Sequence, residues 1–305
     1  VIHLSKSRQA ELVLVATTII AASGWIFSKQ AIAGLPAFGF IGLRFLVASL
    51  CLLPFCYRSF AQVKPGLLIK GFLIGGLLGS GLMLWIYAVS ISDTLGEGAF
   101  IMSLSMLFVP LVAWPLFGNK PGRSFWRAIP FAIAGLILLA AANGWQQSSS
   151  QLWFALAALM LAVHFNFNSR YAQRIPVLLL TCLQLFGTGL IGLVLSFWFD
   201  VWPESISSST WGWFTLSVLV ATSLRYVLQT LGQKGTSNEN AAIIMILEPM
   251  WTLLFSMLWF SETMSAAKMA GCVLILFAIL INRSGDKMMA FLRSGKNAIR
   301  VKLFR

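Results

Sequence analysis

Leu12-Val13-Leu14-Val15-Ala16-Thr17-Thr18-Ile19-Ile20-Ala21-Ala22-Ser23-Gly24-Trp25-Ile26-Phe27-Ser28-Lys29-Gln30-Ala31 is an apolar run whose one charge, Lys29, stands near its end. At about 1.5 Å of rise per residue, a helix of this length spans about 30 Å, the thickness of a bilayer's hydrocarbon core. Nine more runs of this kind follow, at 39–57, 67–90, 97–117, 126–142, 152–170, 177–198, 211–231, 240–260 and 267–282. Between them stand short breakers: Gly34-Leu35-Pro36, Lys64-Pro65-Gly66, Lys120-Pro121-Gly122, Asn143-Gly144 and Gly235-Thr236-Ser237-Asn238. No soluble domain fits between any two spans. The expected fold is an all-α membrane protein of ten transmembrane helices.

Composition agrees. Of 305 residues, 58% are hydrophobic and 10% charged, with a mean hydropathy of +0.84. A soluble domain carries about 25% charged residues, so most of this chain's surface must face lipid, which excludes a soluble enzyme. Cys51, Cys56, Cys182 and Cys272 lie inside apolar runs without a CxxC pair and read as small buried apolar residues, neither a disulfide framework nor a metal site.

The net charge of +13 sits in short loops and a tail, which is a topology signal and not a nucleic-acid surface, since aromatic-basic modules are lacking. With the N-terminus inside, the cytoplasmic segments hold Lys6, Arg8, Arg58, Lys64, Lys70, Lys120, Arg123, Arg127, Arg170, Arg174 and Lys234. The opposite side holds Lys29 and Lys268, with Asp93, Asp200 and Glu204. Positive residues collect on the cytoplasmic side, so both termini are expected there, in an inner or plasma membrane. The first span follows Lys6 and Arg8 and is expected to stay as an anchor. The basic tail, with Met288, Met289, Phe291 and Leu292, either lies on the anionic leaflet or only reinforces orientation.

The first run has an echo. With Pro36 set on Pro176, Trp25 falls on Phe165 and Arg44 on Gln184; with a small gap, Gly98-Ala99-Phe100-Ile101 falls on Ala241-Ala242-Ile243-Ile244, and Leu116-Phe117-Gly118-Asn119 on Trp259-Phe260-Ser261-Glu262. The expected organisation is an N-terminal segment 1–11, a first five-helix repeat 12–142, a linker 143–151, a second repeat 152–282 and a tail 283–305. Five spans reverse direction, so the repeats are inverted, a device of secondary transporters.

These residues carry a resemblance. The chain resembles the EamA family of the drug/metabolite transporter superfamily in Trp25, in Phe38-Gly39-Phe40-Ile41-Gly42-Leu43-Arg44-Phe45, in Ala241-Ala242 with Leu247-Glu248-Pro249, in Trp259-Phe260-Ser261-Glu262 and in Ala270-Gly271-Cys272-Val273-Leu274-Ile275. The first half departs from the pattern: Asn119 stands where an acidic residue is common, and Ser105-Met106 where the second half has Glu248-Pro249. The resemblance implies movement of amino acids, other small metabolites or drugs, and it names no cargo.

Ionisable groups inside a membrane need a reason. Glu248, eight residues into its span and about 12 Å deep, starts a polar stripe with Thr252 and Ser256, while Pro249 removes a backbone donor and leaves the carbonyl of Met245 open. It suits a coupling or cation-binding carboxylate, or a structural one. Arg225, with Thr222 and Gln229, suits a substrate carboxylate or phosphate, or a buried pair with Glu248. His164 and Asn168 share a face; the histidine can relay protons, hydrogen-bond cargo or merely sit satisfied in the core, and Asn166 points away as a helix tie. Arg44 reads as a packing residue that snorkels outward or binds loop carbonyls. Trp25, Phe165, Trp85, Tyr87, Tyr226, Met102 and Met106 are candidates to line an apolar-aromatic cavity, and Gly71, Gly75 and Gly79 form a ridge for close helix approach.

The candidate substrate residues are therefore Arg225, Glu248, His164, Trp25, Phe165, Asn168, Tyr87, Met102, Tyr226 and Gln229, with Glu248 and His164 for coupling, and no catalytic residue, metal or cofactor. The sequence lacks GxSxG, HExxH, a P-loop and a GxGxxG that precedes a helix, so transport is expected to run on gradients. The expected function is a secondary transporter exporting or exchanging a small metabolite such as an amino acid, its partners being the cargo, protons or another coupling ion, and the bilayer. A drug or organic-cation exporter and a non-transporting receptor or scaffold stay open as alternatives.

Overall fold

Prolines mark where several helices begin. In the computed structural model, which describes residues 5–91, 95–141, 149–260 and 265–282, Pro36 and Pro176 are the N-caps of the second and seventh helices, and Pro65 is the first residue of the third. A missing N–H does no harm there, because the first amides of a helix have no partner inside it.

The described residues form ten helices in chain order. The first repeat holds Lys6–Ile32, Ala37–Phe60, Pro65–Ser90, Leu95–Phe117 and Arg123–Ala141. The second holds Ser150–Tyr171, Val177–Phe199, Ser208–Gly235, the broken ninth helix (Asn238–Met245 and Glu248–Phe260), and Ala266–Asn282. The first helix starts upstream of its apolar run because the Ser5 side chain accepts from Arg8 N. The eighth extends past both expected ends, with Ser207 capping its start by accepting from Thr210 N at 3.1 Å. The end of the fifth span at 142, most of the linker (143–148), Asp93 and the tail 283–305 lie outside the described residues. Phe55, Phe197, Leu258 and Val273 stand strongly exposed, an apolar belt suited to lipid.

Small residues bring the repeats together. The second and seventh helices cross with Gly42 against Gly192, where a Cβ on Gly192 would meet Gly42 Cα at 2.6 Å. The third helix lays Gly71, Gly75 and Gly79 against the seventh; a Cβ on Gly75 would run into the backbone of Gln184, and Thr188 Oγ1 donates to Gly75 O at 3.0 Å. The expected glycine ridge is thus a true contact seam.

The other contacts repeat in inverted order. The first helix packs on the eighth and ninth, with Gly24 against Ala221 and Gly232 against Leu14. The sixth packs on the third and fourth, with Gly81 against Leu161. The fifth and tenth pair with each other, Gly135 against Gly271 and Phe131 against Phe277. Each repeat's leading helix is therefore embedded in the opposite repeat.

Overpacking a tight core position costs about 1–3 kcal/mol, and here the obstacle is backbone. Gly75→Leu should lower the melting temperature in detergent by several degrees, whereas Gly66→Ala, with open space around it, should leave it unchanged. Equal melting temperatures for the two variants would remove the seam from the account.

Candidate functional site

Two interruptions of helix build the site. Pro249 carries no N–H, and its ring collides with the carbonyl four residues back, so the ninth helix stops at Met245 and restarts at Glu248. The turn is held by Ile246 N donating to Ile243 O at 3.3 Å and Leu247 N to Ile244 O at 3.0 Å. Glu248 thus opens a new helical segment, where the positive end of the helix favours a carboxylate. In the eighth helix, Leu219–Leu224 is wound as a π-helix, a feature the sequence did not announce. Thr222 Oγ1 donates to the carbonyl of Ser217, five residues back, at 2.9 Å. Arg225 is the first residue after this stretch.

The two interruptions face each other. Arg225 Nη2 donates to Glu248 Oε2 at 3.4 Å, and Trp25 Nε1, from the first helix, donates to Glu248 Oε1 at 3.3 Å. The Arg225 and Glu248 side chains are 21% and 23% exposed, so the pair is reachable. The Arg225 guanidinium lies 4.8 Å from the Tyr226 ring centre, and its Nε has no partner among the described residues. Tyr226 meets Phe45 edge-on at 5.5 Å, and Trp25 meets Trp85 edge-on at 5.8 Å. Thr252 does not extend a polar stripe towards the carboxylate, as its hydroxyl turns back to Glu248 O at 3.0 Å; the Ser256 side chain lies outside the described residues.

Arg44 does not snorkel to a loop. It turns into the bundle and donates from Nε to Thr222 Oγ1, from Nη1 to Ser28 Oγ at 2.8 Å and from Nη2 to Ala221 O at 3.1 Å. It stands 5.5 Å from the Phe40 ring centre and 5.9 Å from that of Phe45. These partners are all neutral oxygens and rings, so a second guanidinium braces the π-helical stretch one turn from Arg225.

A second polar group is fully buried. His164 Nε2 lies 2.8 Å from Gln184 Oε1; Gln184 Nε2 donates to Thr230 Oγ1 at 3.4 Å; Asn168 Nδ2 donates to Thr230 Oγ1 at 3.2 Å and also to Gln233 Oε1. Asn166 ties helices, as expected, by donating to Val109 O at 2.8 Å.

The candidates thus fall into separate places. Trp25, Arg225, Tyr226 and Glu248 meet at the pair, and His164 and Asn168 share the buried network. Met102 packs with Trp85 and Trp153 against Ala88, Ile101 and Phe154, and Tyr87 meets Trp153 edge-on at 5.2 Å, which continues an aromatic wall from Trp25. Phe165, 1% exposed, is walled in with Leu14, Val109 and Met245 and lines no opening. Gln229 is buried, its Oε1 without a partner among the described residues. The substrate candidates omitted Arg44, Gln184 and Thr230. The pairing of Arg44 with Gln184 across the repeats was the available signal, since both turn out to hold the interrupted or buried polar parts. Among the described residues no three His, Cys, Asp or Glu side chains stand together as a metal site, and the four cysteines are free thiols.

The sequence profile of the EamA-like transporter family matches residues 8–141 and again 148–284. A protein of Archaeoglobus fulgidus described as an uncharacterized transporter is 24% identical over 277 residues, 90% of this chain and 86% of that protein. A solved crystal structure shares the fold, with a TM-score of 0.77 over 90% of this chain and 96% of that one at 16% identity.

The ion pair is single, 3.4 Å long and about one-fifth exposed, so its coupling energy should be about 1 kcal/mol. In detergent melts, Arg225→Gln and Glu248→Gln should each destabilise the protein, and the double variant should lose less than the two losses added. Strict additivity would show that the pair contributes nothing to the fold.

Proposed function

We propose, on the premise that this chain belongs to the EamA-like transporter family, that it is a secondary transporter carrying a small carboxylate-bearing metabolite, such as an amino acid, by alternating access. The family is one of transporters and not of enzymes, and the chain is a multi-pass integral membrane protein. The reading rests chiefly on one observation. The Glu248 carboxylate is held by Trp25 from the first repeat and Arg225 from the second, through bonds of 3.3 and 3.4 Å that a cargo can displace.

The chemistry follows from that exchange. A cargo carboxylate replaces Glu248 on the fork of Arg225, and a cargo amine meets the released Glu248. Protonating Glu248 has the same effect on Arg225, which links cargo binding to a proton. Trp25 and Tyr87 are 41% and 42% exposed, while Phe165 is sealed. These exposures support a path to the site past Trp25, Trp85, Tyr87 and Trp153, away from the end where the first helix begins. Rocking of the repeats about the glycine seams would close that side and open the other. With both termini in the cytoplasm, as the Lys and Arg bias favours for an inner-membrane exporter or exchanger, this conformation would face outward. The aromatic rings around Glu248 also suit an organic cation, which makes a drug exporter the competing reading.

Counterflow in proteoliposomes decides between them. Labelled amino acids should exchange saturably, and Arg225→Ala should cut the rate at least about tenfold. Glu248→Gln should keep exchange but lose acceleration by a proton gradient. Exchange of organic cations alone, with Arg225 dispensable, would favour the drug exporter. Binding without flux in the wild type would favour a receptor.

A further inference from the structure

The last turn of the sixth helix brings Asn166, Ser169 and Arg170 to the end of the bundle where the first helix begins. There they meet the last residues of the eighth helix, the start of the ninth, and Phe117 and Asn119 from the first repeat. Together these line an open cavity of about 340 Å³. Among its lining side chains only Phe117 is a pure hydrocarbon, while the carbon parts of the polar ones supply much of the exposed wall.

Three features give this cavity a sign. Ser169 and Gln233 are 8% and 1% exposed, and Ser169 Oγ and Gln233 Nε2 have no hydrogen-bond partner among the described residues. An unpaired buried amide is costly unless something arrives to accept from it. Arg170, which lines the same cavity, is solvent-exposed and has its guanidinium 4.6 Å from the Phe117 ring centre. The ninth helix begins here with Ser237 as its cap, so its positive end faces the cavity. The nearby acid Glu239 is turned to Gly122, whose N–H donates to Oε1 at 3.0 Å.

We infer that this cavity is a second ligand site, which takes a small oxyanion and, on the reading above, holds the cargo's carboxylate at the cytoplasmic end of the path. Gln233 Nε2 and Ser169 Oγ, closed off from solvent in this conformation, are uncovered as the cavity opens and then donate to the oxyanion, and Arg170 supplies the charge. Phe117 and Asn119 belong to the first repeat and the other lining residues to the second, so rocking of the repeats opens and closes the cavity. Gln233 also accepts from Asn168, whose bonds lead through Thr230 and Gln184 to His164. Occupancy of the cavity is thereby tied to the packing of the mid-membrane histidine.

The test is ligand protection of Asn119→Cys from a maleimide, using the full-length protein with its four native cysteines replaced by alanine. The probes are acetate, succinate, inorganic phosphate and phosphatidylglycerol vesicles. Acetate or succinate should slow labelling, with the half-protecting concentration raised at least about tenfold by Gln233→Leu or Arg170→Gln and unchanged by Glu248→Gln. If Gln233→Leu fails to fold, Ser169→Ala serves in its place and should weaken protection. Protection by phosphate or by the lipid alone would keep an oxyanion site but overturn the cargo assignment. No protection by any probe would overturn the site; if amino acid counterflow persisted, the transport reading would stand. Protection without counterflow in the wild type would do the reverse.

Discussion

Inside a bilayer, a backbone group that leaves its helical ladder has no water to turn to. That constraint explains why the chain is helix throughout its spans, and why the exceptions matter. The ladder is interrupted inside the spans of the eighth and ninth helices, over Leu219–Leu224 and at Ile246–Leu247. Each interruption is repaired locally. Arg44, Thr222 and Ser217 satisfy the first, and i→i+3 bonds satisfy the second. Arg225 and Glu248 stand at the downstream edges of these two repairs. The site charges are therefore placed by irregular backbone at membrane depth, which is tolerated only where protein or a cavity encloses it.

The glycine seams are the counterpart of that irregularity. With Gly42 on Gly192 and Gly75 on Gln184, the seventh helix is held at backbone distance from two helices of the other repeat. Lipid offers no hydrophobic force to press helices together, so close packing must supply the cohesion. Contacts between backbones also leave few long side chains to interlock, which suits surfaces that slide or rock. On the proposed mechanism, rigidity and the capacity to rock come from the same residues.

Much of this was legible in the sequence, and the physical reasons differ by residue. The spans, the repeat and the Gly71-Gly75-Gly79 ridge follow from hydropathy and spacing alone. Glu248-Pro249 announced both a charge and a helix break, because proline's missing donor is a property of one residue. The Arg225–Glu248 contact could only be offered as one of two options, since it depends on how far the eighth helix is rotated. A π-helical turn changes that rotation, and no pattern in Leu219–Leu224 marks one. The same rotation turns Thr222 to Arg44, so the arginine read as a snorkelling residue became an internal brace. Phe165 misled for another reason. Its repeat partner Trp25 reaches Glu248, but the repeats are not chemically equal, and the phenylalanine fills the packed side.

That inequality is the functional content of the repeat. Trp25 and Phe165 occupy matching places, yet one donates to a carboxylate and the other is sealed in hydrocarbon. Arg44 and Gln184 match as well, yet one braces an interrupted helix with a permanent charge and the other joins a neutral buried network. Were the halves identical, the centre would hold two copies of each charge, and like charges would oppose closing either end. Here the first repeat contributes an indole donor and a brace, while the second contributes the Arg225–Glu248 pair. The proposed site is then a single one on a nearly symmetric scaffold. In the proposed alternating-access cycle, symmetry of the backbone makes the two open states similar in packing, and asymmetry of the side chains leaves one position for the cargo to meet in both.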